Sequence, residues 1–203
     1  MTTLVLASAS PARLATLRSA GVEPVVVVSG VDESQVDGLP PAELALRLAE
    51  LKCRAVAPRP DVPAGALVLG CDSVLELDGA ALGKPGDPDE ATRRWRAMRG
   101  RSGVLHSGHF LLEPTSGRSA SATASTTVHF ADVDDDEIAA YVATGEPLHV
   151  AGAFTIDGLG GAFVTGVEGD HHNVVGVSLP LLRRLVHELG HRWTDLWAPP
   201  SPR

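Results

Sequence analysis

The 203-residue chain is poor in cysteine, lysine and asparagine, and it has no long apolar run. Its two cysteines, Cys53 and Cys71, form no C-x-x-C pair. That argues against a disulfide scaffold or a thiolate zinc site and fits a reducing, cytoplasmic compartment. Apolar stretches such as Val25–Val28 are short, whereas a membrane helix needs roughly 18 residues. No basic segment followed by an apolar one stands at the N-terminus, so no secretory signal is expected. Acids outnumber bases 25 to 17, a formal charge of −8. A surface of that sign repels a polyphosphate backbone and argues against non-specific DNA or RNA binding. A small anionic ligand is still compatible, provided the bases are focused in one cleft.

What is present describes a globular chain. Hydrophobic residues make up 44% and charged residues 21%, ordinary values for a folded domain. A chain of this length hides roughly 70% of its unfolded surface, enough for a real core. There is no internal repeat. Of the 17 basic residues only Lys52 and Lys84 are lysine, and Asn173 is the sole asparagine. In a chain that otherwise uses arginine, a lysine marks a position suited to a compact ammonium rather than a flat fork.

Patterning predicts an α/β fold. Thr3–Ala7 reads as a first strand, and Ser10 as the cap of a helix that opens on Pro11 and stops at Gly21. Pro24–Ser29, nearly all valine, predicts a strand covered on both faces. Leu44, Leu48 and Leu51 place a helix over about Pro41 to Ala57. A buried strand over Ala66–Gly70 comes next, then a hairpin over Val74–Leu82 around Asp78-Gly79. The Asp87-Pro88-Asp89-Glu90 start predicts a helix to Arg99. Val104–Leu112 and Ser119–Phe130 read as a meander, and Asp134–Ala143 as a helix with acids in its first turn. A last helix runs from Pro180 to about Leu189, and the Pro-rich tail from Trp193 is expected to be loose. The domain reading is one unit over 1–190, with a mixed sheet, flanking helices and two lobes around a cleft, and a tail over 191–203.

Several short segments carry chemistry. Ser8-Ala9-Ser10-Pro11-Ala12-Arg13 joins a strand to a helix, where backbone N–H groups and the positive helix end meet. The serine hydroxyls and the Arg13 fork would add donors for an anion, although the glycines of a Walker loop are missing. Asp72, in Gly70-Cys71-Asp72-Ser73 at the end of the buried strand, is placed to hold a cation or take a proton from water. Asp32-Glu33, Lys52 and Gly83-Lys84-Pro85 lie at or near other element ends. Each segment also has a plain structural reading: a capped helix, an aspartate closing a turn, surface charge. Together they form the inventory of metal-assisted phosphoryl chemistry. One rival motif, His187-Glu188-Leu189-Gly190-His191, matches the zinc-peptidase pattern. Gly190 should stop its helix, and no Glu or His follows His191. His171-His172 read as loop histidines too close together to share a metal easily.

In order and spacing these segments resemble the Maf family of nucleotide pyrophosphatases. The match continues through Ala143–Leu148, Ala151–Phe154, Gly158–Gly161 and Gly169–Gly176, and spans about Leu4 to Leu189. The resemblance implies an elongated mixed sheet akin to inosine triphosphate pyrophosphatases, with a cleft between two lobes. It implies hydrolysis of a nucleoside triphosphate to the monophosphate and pyrophosphate with a divalent metal, magnesium or else manganese. Carried over by position, Asp72 accepts the proton, and Glu33 with Asp72 places metal and water. Ser8, Ser10, Arg13, Lys52 and Lys84 hold the phosphates. Base choice would fall to Ala12, Ser73 and Asp157. The pyrimidine-specific branch has arginine, threonine and glutamine there, and the 7-methyl-GTP branch a different set with a bulky aromatic at the first position. This chain matches neither. A homodimer and a role in regulating cell division are further associations of the family.

Overall fold

A computed structural model describes residues 2–33, 36 and 38–198. The elements run β1 (Leu4–Leu6), α1 (Pro11–Ser19), β2 (Val25–Val26), α2 (Pro41–Val56), β3 (Leu67–Leu77), β4 (Ala80–Leu82), α3 (Pro88–Met98), β5 (Ser102–Glu113), β6 (Arg118–Phe130), α4 (Asp135–Ala143), β7 (Val164–Glu168), α5 (His171–Val175) and α6 (Leu179–Glu188). They form the expected mixed sheet flanked by helices, in the order β2-β1-β3-β5-β6-β7. β1 is parallel to β2 and β3, and the β3-β5-β6-β7 ladders are antiparallel. Among the described residues no helix is long and apolar enough to cross a membrane.

The layout of β3 decides where a ligand can sit. Its start pairs with β1 over Leu67–Leu69, and its end pairs antiparallel with β4 over Leu75–Leu77. Both partners lie on one edge, because β5 takes the other edge without a break from Val68 to Glu76. Between β1 and β4 no strand among the described residues pairs with that edge of β3, and Asp72 and Ser73 occupy the gap. Sequence patterning ended the strand at Gly70. It continues because β5 supplies a partner along nearly its whole length.

Two glycines bring α2 onto the sheet. A Cβ at Gly70 would collide with the Ala49 carbonyl oxygen and stand 2.8 Å from the Cys53 nitrogen. One at Gly108, the cross-strand neighbour of Asp72, would collide with the Ala45 carbonyl. Backbone therefore packs on backbone, and α2 buries Ala45, Ala49, Cys53 and Val56. Strand alternation divides the rest of the core. Leu4 and Leu6 join Leu17, Leu67, Leu69, Leu111 and the α6 leucines on one face, whereas Val5 and Ala7 join Val68 and the α2 side on the other. A third cluster builds the second lobe around Trp95, with Phe130, Tyr141 and Phe163 edge-on to its ring at 5.5–5.8 Å.

Two further expectations need correction, and two elements were not expected. The valine strand is only two residues long and lies at the sheet edge. Val25, Val26 and Val28 are 38%, 42% and 52% exposed, and only Val27 is buried, since β2 has a neighbour on one side alone. The tail from Trp193 packs down. Trp193–Leu196 forms a 3-10 turn, Leu196 is buried, and the Asp195 and Gly21 carbonyls accept bonds from the Thr2 and Ala198 N–H groups. Residues 199–203 of that tail lie outside the described residues. β7 and α5 were not anticipated: the short Val164–Glu168 run is glycine-interrupted, and α5 is a single capped turn.

The contact between α2 and the sheet yields a prediction. Gly70→Ala should lower stability by about 3 kcal/mol, the cost of overpacking a closed interface, read as a drop in denaturant midpoint at unchanged slope. A midpoint equal to wild type would show that α2 is free to lift away.

Candidate active site

The segments singled out in the sequence meet at the Asp72-Ser73 edge of β3. Ser8, Ser10, Ala12, Arg13, Glu33, Lys52, Asp72, Ser73, Lys84 and Asp157 all line one cavity of about 830 Å³. The sheet and α2 furnish one wall, and the 149–157 segment of the second lobe furnishes another.

At the centre Lys52 sits between two carboxylates. Its Nζ lies 2.5 Å from Asp72 Oδ1 and 2.8 Å from Glu33 Oε1. The Lys52 and Asp72 side chains are each 10% exposed, while Glu33 is 44% exposed. Burial alone would raise the Glu33 pKa. The hydrogen bond and charge of Lys52, aided by Lys84 and Arg13, outweigh it and hold Glu33 below the ordinary carboxylate range. Lys84 is exposed and lines the cavity, where its charge acts on Glu33.

The β1–α1 turn forms a second donor group. Ser10 caps α1 by accepting from Arg13 N at 3.4 Å, and Pro11 takes the first helical position. Ser8 Oγ accepts from Ser10 N at 3.2 Å and from Arg13 Nη1 at 3.0 Å. With both acceptor positions used, the Ser8 proton is left to donate elsewhere. Arg13 is buried and fully oriented. Its Nε donates to the Gly176 carbonyl at 2.8 Å and its Nη2 to Ser73 Oγ at 3.0 Å. Ser73 Oγ is also 2.8 Å from Ser107 Oγ, which donates to the Asn173 carbonyl at 3.2 Å. The Ser73 hydroxyl is thus engaged with the guanidinium. Asp157 lies across the cavity on the second lobe.

Asn173 does not line the cavity. It is fully buried, and its Nδ2 donates to the Leu105 carbonyl at 3.1 Å, the Ala124 carbonyl at 3.3 Å and Thr126 Oγ1 at 3.1 Å. It pins α5 to β5 and β6, and α5 ends on the Gly176 that receives Arg13. Ser107 was not singled out in the sequence, and Gly176 entered only as the end of a matching segment, because neither carries charge. A Cβ at Gly176 would stand 3.3 Å from Arg13 Nε on a residue with φ of +123°.

The rival zinc motif does not assemble. α6 stops at Glu188, Gly190 has φ of +84°, and His191 Nε2 pairs with Glu113 Oε1 at 3.0 Å. His172 pairs with Asp170 at 3.1 Å. Among the described residues no three His, Cys, Asp or Glu side chains gather as a metal cage. Cys53 is buried, and that burial pushes its thiol up to about 12, so it is no nucleophile.

Comparison with known proteins places the chain in a family. A family model described as "Maf-like protein" matches residues 3–189. The chain is 64% identical over 196 residues to a protein of Streptomyces coelicolor, covering 97% of this chain and 95% of that one. It is 64% identical over 197 residues to one of Salinispora tropica (96% and 87%) and 48% identical over 196 residues to one of Trichormus variabilis (97% and 98%). Each of the three is named a nucleoside triphosphate pyrophosphatase.

The buried pair predicts a coupling. Lys52→Met strands Asp72 without its counter-ion and should cost about 3–5 kcal/mol. Adding Asp72→Asn should recover part of that loss, whereas additive losses in the double variant would mean the two groups are independent. The Glu33 contribution has the opposite pH sense to a raised group. With its folded pKa depressed, it is complete above the ordinary carboxylate pKa of about 4.3 and vanishes as pH falls through the folded value. A stability–pH curve of Glu33→Gln should therefore converge on wild type in acid.

Proposed function

The chain belongs to the Maf-like protein family, and we propose that it acts as a nucleoside triphosphate pyrophosphatase whose chemistry is centred on the Lys52–Asp72–Glu33 cluster. The observation that carries this reading is the convergence of Arg13, Lys52 and Lys84, the carboxylates Glu33 and Asp72, and the β1–α1 anion turn on one cavity.

The roles follow from charge and reach. A triphosphate repels an incoming oxygen nucleophile until its charge is offset. Arg13, preset by Gly176, Ser8 and Ser73, presents its remaining N–H groups to phosphate oxygens without reorganising. Ser8 and Ser10 add hydroxyl donors at the N-terminus of α1. Lys84 faces the leaving end, and Lys52 orients both carboxylates. Asp72 accepts the proton of a water whose oxygen bonds to the α-phosphorus. The bond from that phosphorus to the bridging oxygen breaks, and pyrophosphate leaves with the electron pair.

The donor set fits a hard divalent cation. Glu33 and Asp72 offer carboxylate oxygens, and with so few protein ligands the remaining positions would fall to triphosphate oxygens and water, the pattern magnesium prefers. When bound, the cation neutralises phosphate charge and polarises the phosphorus.

Substrate choice is a finer part of the proposal. The Ser73 hydroxyl is committed to Arg13 and Ser107, so Asp157 is the candidate base reader, an acceptor-only group suited to a base edge that offers N–H donors. The biological role would be removal of non-standard nucleotides.

Incubation with magnesium and a panel of triphosphates should release pyrophosphate, and Asp72→Asn should cut the rate at least about a hundredfold. Orthophosphate as the first product would refute the choice of bond. Asp157→Gln should shift the ranking among dTTP, UTP, GTP and methylated nucleotides, and an unmoved ranking would remove Asp157 from base reading.

A further inference from the structure

Glu146 lies outside the cavity, yet its carboxylate is the most heavily bonded in the second lobe. Oε1 accepts from Tyr141 Oη at 2.9 Å, Thr155 Oγ1 at 2.5 Å and Gly160 N at 3.0 Å, and Oε2 accepts from Leu159 N at 3.0 Å. Tyr141 donates from α4, Thr155 from within one loop, and the two N–H groups from the far end of that loop. Glu146 begins it, and Leu159-Gly160 end it fourteen positions on. Everything the second lobe contributes from His149 to Asp157 lies between those ends, including Phe154 and Thr155.

The loop is built around this carboxylate. A Cβ at Gly158 would come within 2.8 Å of Glu146 Oε2 and 2.7 Å of Thr155 Oγ1, and one at Gly160 would collide with the Tyr141 hydroxyl. The glycines leave room for backbone N–H groups to reach an anion. Burial disfavours the charged form of Glu146, but Thr155, the two N–H groups and Tyr141 outweigh it, so its pKa is lowered. Tyr141 is buried beside Trp95, and that burial raises its phenol pKa, keeping the hydroxyl a donor. Further bonds tie the loop to the Lys84 turn: Gly152 N to the Gly83 carbonyl at 3.1 Å, and Gly86 N to the Leu148 carbonyl at 3.1 Å.

Arg13, Lys52 and the β1–α1 turn draw the phosphates to the sheet side. The nucleoside then faces Phe154, Thr155 and Asp157. We propose that Glu146 is a positioning residue for the nucleoside: its carboxylate closes the 146–160 loop into a rigid wall that holds Thr155 and Asp157 against the base and sugar. This rests on the nucleotide reading of the cavity and extends it to a residue that never touches the ligand.

The test separates the two ends of the ligand. Calorimetry would compare α,β-methylene nucleoside triphosphates with inorganic tripolyphosphate, both with magnesium, on wild type and Glu146→Gln. Glutamine loses one acceptor oxygen and turns an NH₂ toward existing donors. The nucleotide analogue should bind about tenfold more weakly, while tripolyphosphate stays within about twofold. Tyr141→Phe, which removes a single donor, should shift the same ratio by a smaller factor and serves if Glu146→Gln does not fold. Equal weakening of both ligands, no change in either, or a wild type that grips tripolyphosphate as tightly as the nucleotide would overturn the proposal. Because binding is measured without turnover, a wild type that releases no pyrophosphate would defeat the proposed activity and still leave this comparison decisive.

Discussion

An ammonium held between two carboxylates in a half-dry cavity organises this molecule. Lys52 can reach Asp72 and Glu33 only because α2 lies directly on the backbone of β3 and β5, and α2 can lie there only because Gly70 and Gly108 have no Cβ. The arrangement is costly in isolation, since lysine and aspartate both give up hydration to meet. It is tolerated because the charges are mutually satisfied and the third group, Glu33, stays partly in water. A site that must receive a polyanion benefits from that tension, because a ligand able to bridge cations and carboxylates replaces lost hydration with fixed partners.

Around that centre the two lobes divide the labour. The sheet lobe is charged and preset: Arg13 is held at three of its donor positions before any ligand arrives, by a serine, a second serine backed by Ser107, and a carbonyl that α5 presents. Little reorganisation is then left for the moment of reaction, which is the main source of electrostatic catalysis. The Trp95 lobe supplies shape. Its aromatic cluster anchors α3, α4 and the 146–160 loop as one unit, through contacts such as the 2.8 Å bond from Trp95 Nε1 to the Ala153 carbonyl. Ala153 has φ of +61°, a conformation an alanine keeps only when surrounding packing demands it. The cavity belongs to neither lobe alone. It opens where β3 has lost β1 and not yet gained β4.

Much of this was legible in the chain. The leucine period located α2, capping residues located α3, and the turn between two long runs located β5 and β6, whereas β3 was read as ending at Gly70. The scarcity of lysine drew attention to Lys52 and Lys84, and both line the cavity. Two short elements were not legible. β7 is interrupted by glycine and α5 is a single turn, and both exist because neighbours complete them. The exposed valines at β2 mislead, since hydrophobicity reports what a residue would bury and not whether the sheet continues past it. Asn173 marks the same limit from the other side: its rarity pointed to importance, and it proved to be an anchor beneath the site rather than a part of it.

From composition and spacing came the class of fold and a set of candidate residues, and the family resemblance joined those residues to a phosphate ligand, because period, charge and chemical type are local properties. Tertiary structure alone decided that Ser73 serves Arg13, that Gly176 and Ser107 complete the arginine's setting, and that Glu146 stands behind the wall opposite. Those assignments join residues 14 to 163 positions apart through hydrogen bonds. A bond of that kind leaves no periodic trace in a sequence, and it exists only once the sheet has brought its ends together.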